Sequence, residues 1–311
     1  MVVANSGQGY GATPLEPVTG TDVEVVAWSS PAAEGECTVV WLPTDRLDTQ
    51  VAAAEVTAVE RARAAGYTRR GDRLLSLGSA WLTRRLVAGL LQVPPLEAPI
   101  SRHCPACGKP HGRPVVGAAA RDGAPVHVSA THSGALVGVA ISRSGAVGVD
   151  VEDLAARGPD VWPTVWRVLG CPSAAEAAGS QAEAANTAAT AWVRTEAVLK
   201  ASGYGLAAGR RSVDITTGPR PRVTRWPWGD PEGRVSIVDL RPAGRYVGAL
   251  AVIHPCPQLP PAARPAATAT GHVTDLPARG SAELPDPVRS GRSLPGRVIA
   301  SLPAGQGAVA T

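Results

Sequence analysis

Two carboxylates stand one residue apart in the run Val147-Gly148-Val149-Asp150-Val151-Glu152. In an extended strand alternate side chains share a face, so Asp150 and Glu152 lie together while Val149 and Val151 lie opposite. Acids held this close repel each other unless a cation stands between them. Mg²⁺, a hard ion that takes one or two carboxylates along with phosphate and water, meets that need. On spacing alone a plainer alternative stays open, namely solvated acids on the wet face of a strand end. A second group, Trp192, Glu196 and Lys200, recurs every fourth residue and so lies along one face of a helix. Its plain alternative is a surface Glu–Lys pair contributing a few tenths of a kcal/mol.

Together the two segments contain what phosphoryl transfer requires. A metal and a lysine can neutralise a pyrophosphate while a third carboxylate accepts a hydroxyl proton. Upstream, Thr131-His132-Ser133-Gly134 forms a turn with an imidazole, two hydroxyls and exposed backbone N–H groups, a combination suited to an anion. As a bare pattern it is weak, because Ser-Gly turns abound and a lone His is more often structural.

The elements that must hold these residues follow from periodicity. Val23–Trp28 and Thr38–Leu42 read as strands. One helix is expected over Thr49–Ala65 and a second from near Asp72, with Leu75, Leu82, Leu86 and Leu90 at helical spacing and a stop before Pro94-Pro95. Val126–Ser129, Val137–Ile141 and Val147–Val151 read as an antiparallel meander with turns at Ser133-Gly134 and Ser144-Gly145. Further helices are expected over Pro163–Leu169 and Ala188–Ala201, the latter closed by Gly203 and Gly205. Val235–Leu240 and Tyr246–Ile253 form a final hairpin. The result is an α+β chain of two comparable halves, 21–143 and 144–254, each a small sheet with flanking helices.

Residues 1–20, rich in Gly, Pro and Thr, are expected to be disordered. So are residues 255–311, which hold ten of the 29 prolines and no aromatic residue and cannot bury enough surface to offset their ordering entropy. The net charge of +4 favours acidic partners or polyanionic ligands, yet is too small to point to nucleic acid. No run of about eighteen apolar residues occurs and the N-terminus has no charged start or apolar stretch, so no membrane span is expected and the location is read as cytoplasmic. The five cysteines lack the dense spacing of a disulfide framework. Cys104 and Cys107, flanked by His103 and His111, offer up to four zinc ligands, but in a run too short and too proline-bound for the usual two-pair site, so they are read as reduced loop thiols.

In order along the chain, Gly108-Lys109-Pro110, His132-Ser133-Gly134, Gly148–Glu152 and Trp192–Lys200 resemble the motifs of the Sfp-type 4′-phosphopantetheinyl transferases. That resemblance, spanning 21–254, implies two pseudo-symmetric subdomains with coenzyme A in the cleft between them. It also implies the transfer of 4′-phosphopantetheine to a serine of an acyl or peptidyl carrier protein, as in polyketide or nonribosomal-peptide synthesis. By the same resemblance Asp150, Glu152 and Glu196 hold Mg²⁺, Glu196 accepts the serine proton and Lys200 stabilises the departing 3′,5′-ADP. Lys109, Thr131 and His132 contact coenzyme A phosphates. A monomer is expected, since each half supplies one side of the cleft.

Two positions depart from the pattern. Thr195 stands where many relatives have Lys, and Arg194, about 100° round the helix, compensates only in part. Leu74, Leu75 and Ser76 occupy a stretch where relatives carry an Arg; Arg69, Arg70 and Arg73 stand beside it as substitutes for gripping the 3′-phosphate. The rival reading is a degenerate homologue that binds coenzyme A or carrier protein without turnover, and a third is a small zinc-organised module confined to 103–111.

Overall fold

Short β-branched runs separated by turns form strands in both parts of the sequence, and Ala- and Leu-rich runs form the helices that cover them. The computed structural model describes residues 24–29, 36–102, 112–157, 161–169, 180–205, 209, 212–216, 218–227, 235–242 and 244–254. Before residue 143 come β1 (Glu24–Ser29), β2 (Glu36–Pro43), α1 (Thr49–Glu55), α2 (Ala58–Ala65), α3 (Arg70–Leu91), β3 (Ile100–Arg102), β4 (Pro114–Val116), β5 (His127–Ser133) and β6 (Leu136–Ser142). After it come β7 (Ala146–Asp153), α4 (Leu154–Arg157), α5 (Val161–Leu169), α6 (Gln181–Ser202), β8 (Asp214–Ile215), β9 (Val223–Arg225), β10 (Val235–Leu240) and β11 (Tyr246–Ile253). The chain is of the α+β class, with small antiparallel sheets. The segments 1–20 and 255–311, and Lys109, Cys104 and Cys107, lie outside the described residues.

The two main sheets have the strand orders β1-β2-β6-β5 and β10-β11-β7. Strand β6 is buried at all seven residues, which explains why its sequence is apolar on both faces. Val137, Val139 and Ile141 pack with Leu75, Leu82 and Leu86 of α3. Leu136 and Ala140 turn the other way, onto Val147, Val149 and Val151 of β7 and Leu250 and Val252 of β11. On the far face of β11, Val247, Ala249 and Ala251 join Val193, Ala197 and Val198 of α6. The layers therefore run α3, four-stranded sheet, three-stranded sheet, α6. Each fully buried Leu or Val in these interfaces contributes roughly 1.5–3 kcal/mol. The same alternation has a chemical consequence: with the valines of β7 turned toward the first sheet, Gly148, Asp150 and Glu152 face α6.

Two sequence expectations need correction. The meander does not continue into β7, because β2 and β5 take both edges of β6 and β7 pairs with β11 instead. Nor is Thr49–Ala65 one helix. Val56 is extended, with ψ 154, and Thr57 begins a new helix through a capping box with Glu60. Helix α3 starts at Arg70 and ends at Leu91, where Gln92 takes a left-handed conformation (φ 56) that breaks the helix ahead of Pro94. Helix α6 is longer than expected at its start, where Ser180 caps it, and closes on Gly203 at φ 84.

Candidate functional site

Strands β5 and β7 are joined by hydroxyls rather than by a backbone ladder. On one face of β5 stand Ser129, Thr131 and Ser133, and each reaches β7. Ser129 Oγ accepts the Val149 N–H at 3.1 Å, Thr131 Oγ1 donates to Asp150 Oδ1 at 3.0 Å, and Ser133 Oγ accepts the Asp153 N–H at 3.0 Å. Ser133 also donates to Glu152 Oε2 at 2.9 Å. The turn after it is tight: Gly134 has φ 58, and a Cβ there would collide with the Asp153 carboxylate. The Ala135 N–H donates to the Tyr246 hydroxyl at 3.2 Å. Asp153 caps α4 through the Ala155 and Ala156 N–H groups and pairs with Arg245 at 2.9 Å.

Helix α6 lies directly on this face. A Cβ at Gly148 would strike the Ala197 carbonyl oxygen, so only glycine lets the helix come this close. The approach carries Lys200 onto β7, where Nζ donates to Asp150 Oδ1 at 2.7 Å and to the Val149 carbonyl at 2.9 Å. Asp150, Glu152 and Glu196 are all buried, at 7%, 5% and 5% exposure. Burying three carboxylates is costly unless each is compensated. Asp150 Oδ1 has two donors, but its Oδ2 is buried with no hydrogen-bond partner among the described residues.

Among the described residues no three His, Cys, Asp or Glu side chains gather into a ready-made metal cage. What exists is an acid pair on β7, with Glu196 one helical turn from the lysine that already touches Asp150. That donor set fits Mg²⁺, which needs one or two protein carboxylates and draws its other ligands from phosphate and water. The unpartnered Asp150 oxygen is where such an ion gains most.

Several anticipated residues take other positions. Thr131 is buried, and its hydroxyl proton is given to Asp150 rather than held out to a phosphate. His132 is on the opposite face of β5 and exposed. The protein crowded about its ring, and then the Lys200 charge, hold its pKa below the ordinary 6.5 against the opposing pull of Asp150 and Asp72. Arg69, Arg70 and Arg73 are exposed at the start of α3, the turn that contains Asp72. Arg194 does not compensate for Thr195. It is 3% exposed and gripped by both oxygens of Asp239, at 2.8 and 2.7 Å, and by the Thr216 carbonyl. The Thr195 hydroxyl bonds back to the Ala191 carbonyl within the helix.

The other end of β5 holds a cleft of about 700 Å³ lined by Arg113, Val115, Gly117, His127 and Gly203. Arg113 is half-buried, and its guanidinium donates to the Ala201 carbonyl at 3.3 Å. Burial, then the Arg113 charge, pushes the His127 pKa below the ordinary 6.5. His127 and Thr131 are four residues apart, about 13 Å along the strand. The sequence reading missed both cleft residues. A signal existed, since the Gly-basic-Pro pattern of Gly108-Lys109-Pro110 recurs at once as Gly112-Arg113-Pro114. Set against known proteins, the chain matches no family model and no curated protein.

Proposed function

We propose that this chain transfers the 4′-phosphopantetheine arm of coenzyme A to a serine of a carrier protein. The observation that carries the reading is the buried, unpartnered oxygen of Asp150 beside Glu152, with Lys200 bonded to the other oxygen of the same carboxylate. A carboxylate held in this way suits a hard cation and a phosphate chain together.

Asp150 and Glu152 would hold Mg²⁺, and the ion would supply charge neutralisation on the pyrophosphate. The carrier serine hydroxyl attacks the β-phosphorus. Its oxygen forms the new P–O bond, its proton goes to Glu196, and the P–O bond to 3′,5′-ADP breaks with the electron pair leaving on ADP. Lys200, one turn from Glu196, faces the charge that grows there. The nucleotide end of coenzyme A bears a 3′-phosphate, which suits Arg113 and the cleft at the far end of β5, while Arg70 and Arg73 add positive charge at the start of α3. The net charge of +4 suits an acidic carrier surface.

The test is the intact mass of an apo-carrier protein incubated with the chain, coenzyme A and Mg²⁺. A gain of about 340 Da, set by the formula of one phosphopantetheine, abolished by EDTA, is the expected outcome. No gain across acyl, peptidyl and aryl carriers would sink the reading. A second reading, binding without turnover, draws on the commitment of Arg194 to Asp239 and the absence of charge at Thr195. Calorimetric binding of coenzyme A with no transfer to any carrier would favour it.

A further inference from the structure

The hydroxyls of Ser129 and Ser133 both satisfy N–H groups of β7, yet they differ in one respect. Ser129 meets the Val149 N–H, whereas Ser133 accepts from Asp153 and donates its own proton to Glu152 Oε2 at 2.9 Å. A hydroxyl has one proton, so this geometry fixes its direction. The serine oxygen is in turn held by a tight turn. Gly134 allows the backbone to press on Asp153, and the Ala135 N–H is bonded to Tyr246 Oη. Ser133 cannot swing away from Glu152 without breaking the Asp153 contact as well.

We infer that Ser133 is a positioning residue: it orients the Glu152 carboxylate for cation binding, and the Asp153–Tyr246 side of the turn keeps it in place. The inference rests on the proposed metal role of Glu152. Hydrogen bonds that orient a ligating carboxylate typically set metal affinity by 10- to 100-fold. A hydroxyl that only joined two strands would change stability and leave affinity alone.

The neighbouring serine supplies the control. Mn²⁺, as a spectroscopic stand-in for Mg²⁺, is titrated into the full chain by electron paramagnetic resonance, without substrate, and thermal melts are recorded in parallel. Ser133→Ala should weaken Mn²⁺ binding about 10-fold, and Ser133→Thr, which keeps the hydroxyl, should stay within about threefold of the parent. Ser129→Ala should lower the melting temperature by a few degrees and leave Mn²⁺ affinity unchanged. Equal Mn²⁺ affinity in the parent and in Ser133→Ala would overturn the positioning role while leaving the metal reading intact. A loss in Ser133→Ala that Ser133→Thr does not rescue, or an equal loss in Ser129→Ala, would assign the effect to the strand junction and overturn it too. A parent chain that binds no Mn²⁺ would remove the metal reading and this inference with it.

Discussion

The two ends of β5 present groups of opposite charge. At the Thr131–Ser133 end Asp150, Glu152 and Glu196 are all buried, Lys200 is bonded to one oxygen of Asp150, and the other oxygen of Asp150 has no hydrogen-bond partner among the described residues. At the His127 end a half-buried guanidinium and an imidazole face a cleft, and the Arg113 donor that is bonded rests on a neutral carbonyl. One end calls for a cation and the other for an anion, about 13 Å apart. The proposed substrate, with a metal-bound pyrophosphate and a remote 3′-phosphate, would answer both. A metal site alone would leave the cleft end unexplained, and an anion site alone would leave the acids unexplained.

Removing the acid end should have the largest effect. Asp150→Ala deletes the carboxylate that touches Thr131 and Lys200 and presents the bare oxygen. Transfer to an apo-carrier, followed by mass, should fall by at least about 10³-fold, roughly 4 kcal/mol of transition-state stabilisation. Full activity in this variant would refute the assignment of the acid end.

The position of that end depends on α6. Gly148→Val would drive a side chain into the Ala197 carbonyl and the Ala201 N–H, lifting the helix that carries Glu196 and Lys200. Denaturant unfolding should show a loss of about 3 kcal/mol. The cleft end should suffer too, since Gly203 and the Ala201 carbonyl belong to the end of the same helix. Unchanged stability would mean that the helix does not need its close approach.

How far these two ends were readable from sequence differs for a physical reason. The acid end was legible because period 2 puts Asp150 with Glu152 and period 3.6 puts Glu196 with Lys200, and both regularities survive into the fold. The cleft end involves Arg113 and His127, which sit in or beside irregular loops where no period relates one side chain to another. The meander failed for a similar reason: hydrophobic alternation places a strand's faces but does not say which edge it joins. Arg194 also misled, because a formal helix angle says nothing of Asp239, which lies 45 residues away. Thr57 was missed as a break because its capping box competes with a run of helix-forming alanines on both sides.

Arg113→Ala tests the cleft end alone. If it grips the 3′-phosphate, the substitution should raise KM for coenzyme A by about 10-fold, near 1.4 kcal/mol, with kcat almost unchanged. Dephospho-coenzyme A, which lacks that phosphate, should show no difference between Arg113→Ala and the parent. An equal penalty on both substrates would move the 3′-phosphate elsewhere, with Arg70 and Arg73 the next positions to replace.

The smallest effect, and the one that separates the ends most finely, is in proton binding. His127 and His132 both have pKa values below 6.5, first because protein crowds about each ring, but the next cause is Arg113 for the first and Lys200 for the second. For a histidine whose folded pKa is depressed, the two states bind protons equally well above 6.5. As pH falls below 6.5 the unfolded chain takes up a proton that the folded chain refuses, and stability drops until the folded pKa is reached. The melting temperature should therefore fall between pH 7 and the onset of carboxylate titration. Arg113→Ala should move the His127 imidazole titration, followed by nuclear magnetic resonance, upward toward 6.5 while leaving that of His132 in place. If both histidines moved together, the two ends of β5 would be one electrostatic unit, and a single anion site near Lys200 would replace the two-ended ligand.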